Sequence, residues 1–161
     1  MDPIVIVTTG GTIDKVYFDA KSTFEVGDSV VARLLEQAHV QRSYEIVGLM
    51  KKDSLELSTR DRELIHRTIV ERDETRVVVT HGTDTMTDTA AVLKEISDKT
   101  IVLTGALAQA RFAESDAVFN VGMAFGAVLT LSAGVYIVMN GQVFDADAVK
   151  KDRTENAFVP L

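Results

Sequence analysis

The chain has 161 residues, of which 46% are hydrophobic and 25% charged, the balance of a single globular domain large enough to bury a core. A net charge of −7 argues against a nucleic-acid surface, and the absence of cysteine excludes disulfides, thiolate nucleophiles and cysteine-ligated metals. The three histidines, His39, His66 and His81, show no HExxH spacing and the sequence offers no ligand cluster, so no histidine metal site and no metal or organic cofactor is expected. The N-terminal MDPIVIVTTGG starts acidic and carries only a short apolar run, unlike a signal peptide or a membrane span. A cytoplasmic protein with no membrane partner is the expectation.

Taken in chain order, IVIVTT (4–9) is a buried-strand pattern that stops at Gly10-Gly11. Residues 26–40 place Val30, Leu34, Leu35 and Ala38 at helical spacing, with Asp28 or Ser29 available as a cap. YEIVGLM (44–50) predicts a second strand, and residues 58–73 an amphipathic helix that Ser58 or Thr59 could cap. RVVVTHG (76–82) is a third strand, followed by a helix over 84–97 opened by Asp84. TIVLTG (100–105) is a fourth strand and residues 115–132 an apolar helix. GVYIVMNGQVF (134–144) reads as a strand and a turn at Asn140-Gly141, and a charged tail runs from Asp145 to Leu161. Strands separated by helices imply βαβ units and right-handed crossovers. The expected fold is therefore a single-domain, three-layer, doubly wound α/β sandwich with a mostly parallel sheet, of the Rossmann/flavodoxin-like kind.

Chemistry concentrates in two strings, TTGGTID (8–14) and THGTDTM (80–86), each delivering a threonine to the end of a predicted strand. That is where an open α/β sheet builds its ligand crevice. Two glycines before Thr12 allow a tight turn and a close approach of substrate to backbone, and their amides can hold an oxyanion. The alternative is a structural turn with Thr9 and Thr12 as caps. The GxGxxG spacing of a dinucleotide site is absent, and no Gly-Lys-Ser/Thr follows to make a P-loop. Asp84 alone would be a helix cap; beside Thr83 it adds a charge to a hydroxyl in the crevice. His81 reads as a packed or turn histidine. A hydroxyl is a poor nucleophile until a base takes its proton, so threonines presented this way suggest hydrolysis by nucleophilic catalysis.

With both strings in view, the chain resembles the L-asparaginases of the bacterial amidohydrolase family, over that family's larger N-terminal α/β domain. The likeness runs through TTGGTID, KDSLELS (52–58), THGTDTMTDTA (80–90), KTIVLTGAL (99–107) and GVYIVMNGQV (134–143). It implies hydrolysis of L-asparagine to L-aspartate and ammonia through an acyl-enzyme, with Thr12 as nucleophile. Thr83 would activate water or the nucleophile, Asp84 would grip the substrate α-ammonium, and a lysine would complete the set, with Lys151 fitting best and Lys150 second. Ser54 matches the serine that holds the α-carboxylate, within a pocket that also takes in Gly11 and Asp53. The backbone carbonyl of Ala106 matches the group that meets the substrate amide.

Three departures from the family pattern accompany this likeness. Phe24 stands where a loop tyrosine commonly serves as base, which leaves Tyr17 as the replacement. A phenol with a free pKa of ~10 needs a positive neighbour for that work, Lys15 or Lys151. The chain also stops where the family's smaller C-terminal domain would begin, so a more open pocket and a homo-oligomer, dimer or tetramer, are expected, with helix 115–132 wanting cover. Leu107-Ala108-Gln109 replaces the usual Met-Arg-Pro, and Leu55-Glu56 replaces the usual neighbours of Ser54. The rival readings are an aspartate or amino-acid sensor without turnover and an amidotransferase subunit that releases ammonia for a partner.

Overall fold

The structure, a computed structural model, describes residues 2–18, 23–111 and 113–161, and gives the backbone alone for 17, 18 and 23–25. Its centre is a six-stranded sheet of β1 (Ile4–Gly10), β4 (Tyr44–Lys52), β5 (Arg76–Thr80), β6 (Thr100–Thr104), β7 (Gly134–Met139) and β8 (Gln142–Asp145). They lie in the order β4-β1-β5-β6-β7-β8, all parallel except β8. The first five therefore follow the flavodoxin-like order, with the topological switch point between β1 and β5.

Period-two alternation sorts each buried strand onto two cores. Ile4, Ile6, Val78, Val102 and Val138 face α1 (Val31–Gln37) and α4 (Ala117–Thr130). Val5, Val7, Val77, Val79, Ile101, Leu103, Ile137 and Met139 face α2 (Thr59–Val70) and α3 (Met86–Leu93). The three-layer, doubly wound α/β fold expected from the sequence is the one observed. Continuous apolar runs in β1, β5 and β6 are what a sheet covered on both faces requires.

Local chemistry sets the element ends. Ser58 caps α2 with a reciprocal box: its Oγ accepts the Asp61 N–H at 3.2 Å while an Asp61 carboxylate oxygen accepts the Ser58 N–H at 2.8 Å. A cap of this kind is worth about 1 kcal/mol. The turn at Asn140-Gly141 has φ of 53° and 69°, a two-residue hairpin turn that matches strand twist and joins β7 to β8.

Two expectations need correction. The helix expected over 26–40 forms only as α1, because Gly27 and Val30 are held by Asp14 and the chain before Val31 runs as a loop. Between β1 and α1, a stretch for which no element was expected, β2 (Lys15–Phe18) pairs antiparallel with β3 (Thr23–Val26), with Tyr17 and Phe24 in register. The tail after Asp145 is also structured. There β9 (Val149–Asp152) pairs with β10 (Ala157–Pro160), and buried Val149 and Phe158 join the α2/α3 core.

Candidate active site

The C-terminal ends of β1, β4, β5 and β6 meet at the switch point through glycines. Gly10 and Gly11 sit at φ of 105° and 93°, a left-handed backbone that side chains resist. A Cβ on Gly11 would stand 2.5 Å from the Gly82 Cα, and one on Gly82 would stand 2.6 Å from the Ser54 Cβ. The three loops thus meet with no room for a side chain at Gly11 or Gly82, and the Gly11 N–H donates to the Lys52 carbonyl at 2.9 Å. Thr8 and Thr9 are buried beneath this turn, with the Thr9 hydroxyl donating to the Thr80 carbonyl at 2.7 Å, so Thr9 is a brace. Thr12 opens a single 3-10 turn over Thr12–Asp14 and is half-buried at the crevice.

Opposite it, Thr83 and Asp84 receive a cation from the last hairpin. Lys151 donates from Nζ to the Thr83 Oγ1 at 2.8 Å and to an Asp84 carboxylate oxygen at 2.7 Å. Alternation along β9 explains the selection: Val149 and Lys151 point inward, whereas Lys150 is exposed. Phe158, buried and bonded through its N–H to the Asn140 side chain at 2.8 Å, fixes the hairpin beneath that lysine. Asp84 is not the cap of α3, whose N-cap is Thr85 without a side-chain bond. Its carboxylate is committed to Lys151 instead.

The third wall is the turn after β4. Asp53 caps it through the Leu55 N–H at 3.1 Å and pairs with Lys15 at 2.8 Å. Burial pushes the Asp53 carboxyl up, but the Lys15 bond, the Leu55 amide and the charges of Lys15 and Lys151 together hold it below the ordinary value. Ser54 is buried and accepts the Thr85 N–H at 3.4 Å, and the Thr85 hydroxyl donates to the Ser54 carbonyl at 2.8 Å. Leu55 and Glu56 are exposed. Ala106 is buried in the turn after β6. That turn is clasped by Asp116, which accepts the Leu107 and Ala108 amides at 3.0 to 3.1 Å, and by Asn120, which donates to the Gly105 carbonyl at 2.9 Å. The Ala110 N–H then reaches the Ile13 carbonyl at 3.2 Å, tying this turn to the TTGGTID segment.

The crevice thus brings Gly11, Thr12, Ser54, Thr83, Asp84 and Lys151 to one end of the sheet, with Asp53 and Ala106 on its flanking turns. The Tyr17 and Phe24 side chains lie outside the described residues. Sequence reasoning missed the Asp116–Asn120 clasp, although a buried asparagine on an otherwise apolar helix was a readable signal. It also passed over Asp14, whose buried carboxyl is pushed up to about 6, burial outweighing the Val30 N–H, the Ser29 hydroxyl and the Arg111 charge. His81, fully buried, is the packed histidine expected, and burial lowers it to about 4. Among the described residues no group of histidine and carboxylate side chains is placed to hold a metal. No helix among them is long and apolar enough to cross a membrane.

Comparison with known proteins places this geometry. The chain is 32% identical over 151 residues to a glutamyl-tRNA(Gln) amidotransferase subunit of Methanococcus vannielii, covering 88% of this chain and 35% of that protein. It is 30% identical over 167 residues to L-asparaginase 2 of Escherichia coli K12, covering 94% and 47%. The crystal structure of a probable cytoplasmic L-asparaginase from Campylobacter jejuni superposes with a TM-score of 0.83 at 26% identity, covering 99% of this chain and 52% of that one. The chain spans between a third and a half of the length of these curated relatives. Residues 3–159 match the family model described as asparaginase, N-terminal, and the chain belongs to the asparaginase family.

Proposed function

We propose that this chain hydrolyses the side-chain amide of L-asparagine to L-aspartate and ammonia through an acyl-enzyme on Thr12. The observation that carries the reading is the Lys151 ammonium bonded to both Thr83 and Asp84, facing a turn that only glycine can make. Asp84, with 33% of its side chain exposed, keeps carboxylate surface for the substrate α-ammonium. Ser54 and neighbouring amides take the α-carboxylate, a two-point grip that fixes the amide carbon over Thr12. Because the Gly11 N–H is occupied by Lys52, the Thr12 amide is the turn's donor to the developing oxyanion.

In the first half-reaction Thr12 Oγ bonds to the amide carbon, its proton goes to the leaving nitrogen by way of a base, and ammonia departs. Tyr17 is the base in this reading, with Lys15, paired to Asp53, as the nearby cation. In the second half, water adds to the ester and Thr12 leaves with a proton. Lys151 donates into the Thr83 oxygen, which makes the Thr83 proton more acidic and suits that hydroxyl to orienting the water. No metal or organic cofactor enters these steps.

The reading takes the chain as a cytoplasmic, non-membrane protein, by analogy with the probable cytoplasmic L-asparaginase of Campylobacter jejuni. It also takes a homo-oligomer, dimer or tetramer, because α4 leaves Val118 54% and Phe119 64% exposed on the face turned from the core. A second reading, an ammonia-releasing amidotransferase subunit, is favoured by the Methanococcus vannielii relative.

The deciding assay measures ammonia release from asparagine and glutamine by the purified chain, with Thr12→Ala beside it. Release from asparagine that vanishes in Thr12→Ala is the expected result. Folded protein that binds aspartate without turnover would leave a sensor. Turnover that appears only with a partner chain would favour the amidotransferase subunit.

A further inference from the structure

The end of β5 poses a problem that the reaction above does not address. The sheet ladder stops there, where the His81 N–H donates to the Thr104 carbonyl at 2.9 Å, and the carbonyl of Gly82, one residue on, needs a donor in the protein interior. His81 supplies it from its own ring: Nδ1 lies 2.6 Å from the Gly82 oxygen, an acceptor only, so Nδ1 carries the proton. Nε2 then presents a lone pair inside the protein, and the Thr89 hydroxyl fills it at 2.7 Å. Thr89 is fully buried, and its oxygen in turn accepts the Arg62 Nε–H at 3.2 Å. Because Nε2 carries no proton, the Thr89 hydroxyl donates to it while its oxygen accepts from Arg62. Arg62 also donates from its guanidinium to the Leu57 carbonyl at 3.0 Å, and the Leu57 N–H reaches the Ser54 carbonyl at 3.3 Å.

We infer that Arg62, Thr89 and His81 are positioning residues that hold the Ser54 turn and the Gly82-Thr83 peptide in one geometry through a single, directional hydrogen-bond chain. The Gly82 carbonyl sets the imidazole tautomer, and the Thr89 hydroxyl held by Arg62 pins the ring from the other side, which fixes the direction of the Gly82 carbonyl in turn. The Thr83 hydroxyl follows that peptide by one residue, and Lys151 meets it on the far side. None of the three residues is among the groups that meet substrate in the proposed reaction. Arg62 lines a groove of about 480 Å³ between α2 and α3, with Glu63, His66, Asp88 and Glu95 along it, so the chain begins on a face apart from the crevice. A misplacement of order 1 Å at a reacting group can cost about a hundredfold in rate, which is the leverage such a chain has.

The kinetic part of this inference rests on the amidohydrolase reading; the spectroscopic part does not. The test is long-range nitrogen-15 NMR of His81 together with kcat and KM for asparagine, on the full chain and on Thr89→Val, Thr89→Ser and Arg62→Met. The full chain should show a neutral imidazole protonated at Nδ1. Thr89→Val should keep the Nδ1 proton, move the Nε2 resonance as its hydrogen bond is lost, and drop kcat by about tenfold or more with a smaller change in KM, while Thr89→Ser restores the resonance and brings kcat to within about threefold. Arg62→Met, at a partly exposed position, should move both readouts in the same direction by less and serves if Thr89→Val does not fold. An Nε2-protonated His81 in the full chain, or a folded Thr89→Val with kcat, KM and the Nε2 resonance unchanged, overturns the inference. If no asparagine is hydrolysed, the function is wrong, and the tautomer with amide exchange at Gly82 and Thr83 decides the hydrogen-bond chain alone.

Discussion

The ends of β1 and β5 lie side by side at the switch point, each delivers a threonine, and they are built by opposite means. The β1 end is made largely of backbone: two glycines at positive φ and a main-chain bond from Gly11 to Lys52, with the Thr9 hydroxyl bracing it to Thr80. The β5 end is made of side chains, with His81 and Thr89 beneath the loop and Lys151 above Thr83 and Asp84. Room for an approaching carbonyl needs an open backbone, whereas control of a proton and a charge needs fixed donors. The same contrast recurs in the buried titratable groups. Asp14, two residues past Thr12, is an acid pushed up, and His81, two before Thr83, is a base pushed down.

The sharpest way to break this comparison is at Thr12, the proposed nucleophile. Thr12→Ala should lower kcat for asparagine about a thousandfold or more without unfolding the protein, while Thr12→Ser, which keeps the hydroxyl, should stay within about tenfold. Equal losses in both variants would remove the β1 end from the chemistry.

Proton linkage separates the two ends next. The His81 pKa is depressed from 6.5 to about 4, so its contribution to stability is complete above 6.5 and is lost as pH falls toward 4. The Asp14 pKa is raised from 3.8 to about 6, so its contribution is complete below 3.8 and is lost as pH rises through 6. Each is worth about 3 kcal/mol at full extent, and within their shared window they oppose. Asp14→Asn should therefore expose the His81 slope. The stability of the parent relative to Asp14→Asn should shrink by about 3 kcal/mol between about pH 4 and about pH 7, read by urea denaturation. A difference that stays flat across that range would show that Asp14 does not titrate as a buried acid.

At the β5 end, Lys151→Met strips the cation from Thr83 and Asp84 and should cost about a hundredfold in kcat/KM. The smallest effect is expected one residue earlier. Lys150→Met changes an exposed side chain, and kcat/KM should stay within about twofold. A reversal between these two lysines would mean that the β9 hairpin sits in another register when substrate is bound.

Much of the fold was legible because its signals are local and redundant. The runs at 4–9, 76–82 and 100–105 can pack only as buried strands between helices, and Ser58 with Asp61 announces the start of α2. The two hairpins were not legible. Strands β2, β3, β9 and β10 are four residues long, too short to show a period of their own, and β9 and β10 gain their cover from a distant partner, the core beneath Val149 and Phe158. Reading 145–161 as a tail hid the element that positions Lys151, so the lysine could be named from a resemblance and not from geometry. Asp84 shows the converse error: local rules make an aspartate before a helix a cap, and a residue 67 positions away takes it instead.

By itself the sequence determined the layer architecture, the strand ends and the presence of threonine, glycine and carboxylate at them, because hydrophobic period and glycine steric freedom act over a few residues. Only the tertiary structure decided which lysine faces the crevice, which threonine is a brace, and how His81 and Asp14 titrate. Those outcomes depend on burial and on hydrogen-bond partners brought from far along the chain. Neither exists until the two cores close.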